Sequence, residues 1–247
     1  MTTGIRVIPL EGIPEVEEGD ELASFLADAA GRAGGLEDAD VVVVAQKVVS
    51  KAEGRVVILD GIEPSERAYE LAGDRDPRHV EVILRESSRV IRSRPPLLIS
   101  ETRHGFVCAS AGVDASNAPV EGTLVLLPLD PDASAARIRA GLRERTGRDV
   151  GVIVSDSFGR PFRQGTTDVA LGSAGIVPLL DLRGVRDSVG YELQGTQIAV
   201  ADELAGAAEL VFGKTNAIPA AVIRGVQARG EGTGRDLLIS PGRDLFR

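Results

Sequence analysis

The sequence predicts an α+β fold, with mixed sheets and flanking helices. Three observations lead to that class. Residues 40–45 (DVVVVA) and 150–155 (VGVIVS) are short, continuous, β-branched runs of the kind that form buried strands. Residues 21–33 and 132–145 instead space their apolar side chains at helical intervals, with Leu22, Phe25, Leu26 and Ala29 on one face of the first and Ala135, Ile138 and Leu142 on one face of the second. The two kinds of segment follow one another without strict βαβ alternation, which argues against a doubly wound sheet.

Taken in order, residues 5–10 read as a short strand stopped by Pro9 and Pro14, and the helix over 21–33 ends at Gly34 and Gly35. The buried strand over 40–45 follows, then a second strand over 55–59. Pro64 and Ser65 can open a short helix, and Pro77 another that runs through Ile83 and Leu84. Pro95 and Pro96 mark a break. Strands are expected over 97–100, 105–109 and 123–127. The helix over 132–145 ends at Gly147, and the buried strand over 150–155 comes next. The remaining expectations are a strand over 197–201, a helix over 202–211 and strands over 220–223 and 237–239.

Composition narrows the function. The 247 residues carry a formal charge of −9 and show no basic patch, which excludes a nucleic-acid or anionic-membrane partner. No apolar run approaches the roughly 20 residues needed to span a bilayer. The N-terminal MTTGIRVIPL lacks the charged and apolar regions of a secretory signal, so a cytoplasmic protein is expected. A single cysteine, Cys108, rules out an intrachain disulfide and a zinc ribbon, and two histidines rule out a multi-histidine metal site. Metal chemistry is therefore left to oxygen ligands, which suit magnesium, manganese or calcium. Lysine occurs only at positions 47, 51 and 214, and asparagine only at 117 and 216, so each is an unusual choice in this chain.

Two motifs fail. The FGKT at 212–215 lacks the earlier glycine of a phosphate loop, since position 208 is Ala208, and its preceding segment reads as helix. No G-x-G-x-x-G follows a strand. Gly230, Gly232 and Gly234, beside Arg229 and Arg235, can hold phosphate but more simply form a surface turn.

Three segments carry more. AGVDASN, over 111–117, places a carboxylate, a hydroxyl and an amide within four residues, as hard-metal ligands or as caps of a polar turn. In VIVSDSFGRPFR, over 152–163, a buried strand ends at Ser155 and presents Asp156 and Ser157 at its tip. Arg160 and Arg163 follow, a grouping suited to a polyanion with a metal, although Asp156 can equally pair with Arg160. VAQKVVSKAEGR, over 44–55, runs from a buried strand into Gln46, Lys47, Ser50 and Lys51; lysine is a compact charge suited to phosphate, and a solvated connection is the simpler alternative.

These three segments, with IPLEGIPEV near the start, SDSFGRPFRQGTTDVALGSAG, and ADELAGAAELVFGK followed by IPAAVIRG, resemble the GTP-dependent γ-glutamyl ligases of deazaflavin cofactor synthesis, the coenzyme F420-0:L-glutamate ligases. The resemblance spans nearly the whole chain. It implies an α+β fold in an intertwined homodimer, with one ligase domain over 1–247 that has room for two subdomains and no C-terminal nitroreductase-like domain. It also implies magnesium or manganese and a monovalent cation (potassium). By position, Asp114, Asp156 and Ser157 correspond to metal ligands. Leu10, Glu11, Gly12, Ile13, Gln46, Lys51, Asn117, Phe212, Gly213, Lys214, Thr215, Asn216, Ala217, Ile218 and Pro219 correspond to GTP contacts, while Arg160 and Arg163 are weaker candidates for phosphate or substrate carboxylate. Lys214 is a departure: some members carry there a glutamine or acid that helps hold metal, whereas a protonated lysine contacts phosphate instead.

The reaction so implied transfers the γ-phosphoryl of GTP to the terminal carboxylate of F420-0, and the amine of L-glutamate then displaces phosphate from the acyl phosphate. Two anions must meet in the first step, a task for metal ions and cationic side chains rather than a protein nucleophile. The alternatives are a nucleotide-binding regulatory protein without turnover and a metal-dependent phosphatase using the same acids.

Overall fold

The structure is a computed structural model that describes residues 4–245. The first three residues of the stretch read for a secretory signal, and the last two of the chain, lie outside it. Strand β1 (Arg6–Pro9) precedes helix α1 (Leu22–Arg32), strand β2 (Val41–Ala45) and helix α2 (Gln46–Ala52). Then come β3 (Val56–Ile58), α3 (Glu66–Ala72), α4 (Pro77–Glu86), β4 (Ser87–Arg94), β5 (Leu97–Thr102), β6 (Val107–Ala109) and β7 (Thr123–Val125). The remainder is α5 (Pro131–Thr146), β8 (Gly151–Gly159), β9 (Thr166–Ala174), β10 (Leu180–Asp181), β11 (Gln197–Ile198), α6 (Val200–Phe212) and β12 (Ala220–Arg224). The α+β expectation holds. None of the described helices is long and apolar enough to cross a membrane.

The main sheet has the order β1-β12-β2-β8-β9. Its pairs are antiparallel except one, where the central strand β2 runs parallel to β8 from Val41 opposite Gly151 to Ala45 opposite Ser155. Side chains alternate across it. Val42, Val44, Val152, Val154 and Val222 pack against α1 and α5, through Leu26, Ala135, Ile138 and Leu142 among others. Val41, Val43, Ile153, Ala221 and Ile223 pack on the other face against Ala201, Leu204, Ala208 and Phe212 of α6. A strand covered on both faces needs no alternation of polarity, which is why the DVVVVA run is continuous. Each valine so buried contributes roughly 1.5–3 kcal/mol relative to exposure. A separate cluster joins α3, α4, β5 and β7 through Ala68, Ile83, Leu98 and Leu124.

Helix boundaries follow the expected chemistry. The Ser65 hydroxyl accepts from the N–H of Ala68 at 3.3 Å, and the Asp130 carboxylate from that of Ala133 at 3.1 Å. Gly147 closes α5 in the left-handed region, with φ 69°.

Several expectations are corrected. The strand read as ending at Ser155 continues to Gly159, because it pairs with β9, which the sequence did not suggest. Asp156 and Ser157 therefore lie within a paired strand, not at a free tip. Residues 46–52 are a helix rather than a connection. Asp114 follows a 3-10 turn (Ser110–Gly112) and bridges Val125. Of residues 197–201 only Gln197 and Ile198 are strand, and α6 begins at Val200. Residues 237–239 are not a strand: a 3-10 turn (Gly234–Leu237), held by the reciprocal Thr233 and Asp236 cap, runs into coil. That cap and the bond from the Gly234 N–H to Asp132 Oδ1, 2.6 Å, make the glycine-rich segment a packed turn.

Candidate active site

A cavity of about 580 Å³ opens where β2 ends and its parallel pairing with β8 stops, at Ala45 and Ser155. That is the position at which open sheets with parallel strands bind ligands, and the volume is ordinary for a small-molecule site. Gln46, Lys47 and Lys51 line it from α2. Ser155, Asp156 and Ser157 line it from β8, Asp168 from β9, and Glu209 and Phe212 from α6.

Of the positions matched to GTP contacts, Ile13, Gln46, Lys51, Asn117, Phe212, Gly213, Lys214, Thr215, Ala217, Ile218 and Pro219 line the cavity; Leu10, Glu11, Gly12 and Asn216 do not. Leu10 is fully buried in the core, and its N–H donates to the Ala220 carbonyl at 2.9 Å. The carbonyls of Glu11 and Gly12 accept from Arg32 Nη2 at 3.0 and 3.1 Å. Asp156 and Ser157 line the cavity, and Asp114 touches it through Lys47. Arg160 and Arg163 are held away, in the turn between β8 and β9, where Arg160 Nη2 donates to the Gln164 carbonyl at 2.8 Å.

Because β8 is extended, Asp156 faces one side of it and Ser157 the other, which divides the acidic groups into two halves. On the Asp156 side, Lys47 Nζ donates to Asp114 Oδ2 at 2.6 Å and to Ser116 Oγ at 2.5 Å. Burial works against ionisation of Asp114, but the Lys47 and Ser116 hydrogen bonds outweigh it and hold its carboxyl below the usual range. Asp156 accepts from the Ser157 backbone N–H but has no ion pair among the described residues. Desolvation, with Asp168 and Asp114 adding to it, pushes its carboxyl up to about 7. Burial, with the Asp156 charge nearby, also pushes the Cys108 thiol up to about 12, so the single cysteine is no thiolate nucleophile.

On the other side, Asp168, 4% exposed, accepts from Ser155 Oγ at 2.8 Å through Oδ2 and from Ser157 Oγ at 2.6 Å through Oδ1. Glu209 Oε2 accepts from the Asp168 N–H at 2.9 Å, and Oε1 lies 3.3 Å from Ser157 Oγ. Lys214 Nζ donates to Ser157 Oγ at 2.8 Å. Burial raises the Asp168 carboxyl.

Asp168 and Glu209 were not read from the sequence. The available signal for Glu209 was a carboxylate in the last turn of a helix, where the dipole disfavours negative charge unless a partner holds it. For Asp168 the signal was the Gly- and Pro-containing segment 159–165 between two runs able to form a hairpin.

Two observations bear on what the cavity can hold. Gln46 is 1% exposed; its Oε1 accepts from Ser50 Oγ at 2.8 Å, while Nε2 has no hydrogen-bond partner among the described residues. A buried amide donor without a partner is costly, so it marks a place for a ligand oxygen. Asp156, a buried carboxyl with no ion pair among the described residues, stands beside Asp114 and suits a divalent ion. Among the described residues no three acidic, histidine or cysteine side chains converge on a metal position. Two carboxylates suffice when substrate phosphates complete the shell, as for magnesium.

A family model for F420-0:gamma-glutamyl ligase matches residues 12–225. The chain is 46% identical over 251 residues to the coenzyme F420:L-glutamate ligase of Methanothermobacter thermautotrophicus, covering 99% of each chain. It is 48% identical over 254 residues to that of Methanopyrus kandleri, covering 100% of this chain and 98% of the relative. With that of Methanocaldococcus jannaschii it shares 45% identity over 216 residues, 86% of each.

Proposed function

Since the chain belongs to the F420-0:gamma-glutamyl ligase family and is a ligase, we propose that it joins L-glutamate to the terminal carboxylate of coenzyme F420-0 at the expense of GTP. The observation that carries the reading is the grouping at one strand junction of an uncompensated acid (Asp156), an orphaned donor (Gln46 Nε2) and the ammoniums of Lys47 and Lys51.

The amide bond forms in two balanced steps. The terminal carboxylate oxygen of F420-0 forms a bond to the γ-phosphorus as the bond to GDP breaks. The glutamate amine then bonds the acyl carbon, the carbon–oxygen bond to phosphate breaks, and the ammonium proton passes to water or a base. At 4 Å, two unit negative charges repel by about 4 kcal/mol at an effective dielectric near 20, and the triphosphate carries several. Asp114 and Asp156 would hold magnesium or manganese, which supplies positive charge between the reacting anions. Lys51, whose ammonium now pairs with Glu15, turns to phosphate, and Gln46 Nε2 donates to a nucleotide oxygen. The loop 213–219 lies along the nucleotide, while Arg160 and Arg163 stay outside this assignment. The monovalent cation implied by the resemblance is given no ligands.

The active form is a homodimer in this reading. Supporting it, Val185, Val189 and Tyr191 are exposed on the segment between β10 and β11, where a second copy can cover them. The enzyme works in the cytoplasm, where GTP and glutamate are supplied.

One incubation with GTP, manganese, F420-0 and L-glutamate tests the reading. The ligase releases GDP only when both F420-0 and glutamate are present, with one glutamate joined per GDP. Phosphate release without glutamate identifies a phosphatase, and binding without release identifies a regulatory protein; either result refutes the proposal.

A further inference from the structure

The two sides of β8 differ in what they leave unsatisfied. On the Ser157 side three of the four carboxylate oxygens already take a protein donor, and the fourth faces the Ser157 hydroxyl oxygen. Asp168 Oδ1 and Oδ2 take the hydroxyls of Ser157 and Ser155, at 2.6 and 2.8 Å. Glu209 Oε2 takes the Asp168 N–H at 2.9 Å, and Oε1 meets Ser157 Oγ at 3.3 Å. The Ser157 oxygen, with its own hydrogen directed at an acid, accepts from the ammonium of Lys214 at 2.8 Å. On the Asp156 side a carboxylate stands without an ion pair among the described residues.

The position of Lys214 is fixed by the end of α6. Gly213 takes φ 56° and ψ 176°, a backbone conformation that essentially only glycine adopts, so the turn needs glycine. That turn directs Lys214 back over β8, across 57 residues of sequence, to Ser157.

We propose that Lys214 is the built-in cation of the Ser157, Asp168 and Glu209 half of the site, so that this chain takes a single divalent ion, on the Asp114 and Asp156 side. The inference rests on the nucleotide and metal reading above and refines it: Ser157, matched to a metal ligand by resemblance, serves instead to seat the lysine. An ammonium 2.8 Å from the hydroxyl oxygen and a dication on the same oxygen would be close like charges, so one excludes the other. With Lys214 in place the phosphates meet a fixed monovalent charge on this side.

The test counts manganese bound per chain to the whole protein with a non-hydrolysable GTP analogue, by equilibrium dialysis and electron paramagnetic resonance. The wild type binds one Mn2+ with an uncoupled spectrum. Lys214→Gln, an exposed position where folding is not at stake, binds a second Mn2+ magnetically coupled to the first. Lys214→Arg remains at one. Two ions in the wild type, or one in Lys214→Gln, overturn the assignment of Lys214 and leave the ligase reading standing. No ion in any form overturns both.

Discussion

Lys47 Nζ donates to Asp114 Oδ2 at 2.6 Å, joining the first turn of α2 to a loop 67 residues later. The ammonium neutralises Asp114 in the absence of any other cation, and it must give way when Asp114 binds metal. Lys47→Gln removes a charge-assisted hydrogen bond of about 1.5–3 kcal/mol and leaves Asp114 facing Asp156 unshielded. Its metal-free melting temperature falls below that of the wild type, and manganese restores more of it than it adds to the wild type. Equal melting temperatures without metal would mean that the pair contributes nothing.

Asp156 sets the pH response. Its carboxyl is raised to about 7 in the folded chain, against roughly 4 when unfolded, so the folded state holds the extra proton between these values. Its contribution to stability is complete below about pH 4 and is lost as pH rises through 7. Thermal unfolding of metal-free protein between pH 4 and 8 should therefore decline more steeply in the wild type than in Asp156→Asn. Identical slopes would remove Asp156 as the cause. Manganese must also displace that proton, so its affinity rises with pH up to about 7, with proton release detectable by calorimetry in buffers of different ionisation heat.

Lys51→Ala weakens binding of a GTP analogue by about 1.5–3 kcal/mol and lowers turnover. The residue is 7% exposed in the last turn of α2, with its ammonium on Glu15. Circular dichroism should show the fold retained. Calorimetry giving wild-type affinity would exclude Lys51 from the nucleotide.

Light scattering of the isolated protein should give twice the chain mass at assay concentration. An obligate pairing of this kind buries more than roughly 2,000 Å². Tyr191→Glu, at an exposed aromatic between β10 and β11, shifts the species toward monomer. An active wild-type monomer is the result that rules the dimer out.

Much of the scaffold was legible because its signals are local. Val41–Ala45 is β-branched throughout, and Leu22, Leu26 and Ala29 repeat at helical spacing. What escaped depends on pairing. Ser87–Arg94 is mostly exposed, so no apolar period marks it as a strand. Thr166–Ala174 is rich in small residues and owes its strand to the ladder with β8. The seven residues of α2 are too few to show a helical stripe. Asp156 and Ser157 could be picked out from the buried run before them. Asp168 and Glu209 could not, since their role arises from contact across a hairpin and from a helix end. Leu237 and Leu238 looked like strand residues, but the Thr233 and Asp236 cap turns the chain there.

The two acids matched to metal ligands have different costs when neutralised. Asp114→Asn breaks the Lys47 ion pair and should lower the melting temperature as well as turnover. Asp156→Asn removes a desolvated charge without an ion pair among the described residues, so the metal-free protein at pH 8 should be as stable as the wild type or more so. The decisive measurement is glutamate-dependent GDP release by Asp156→Asn at low manganese, taken beside its melting temperature. Turnover almost abolished in a protein that melts no lower than the wild type is the predicted result. Near-wild-type turnover would contradict the account by removing Asp156 from the reacting centre.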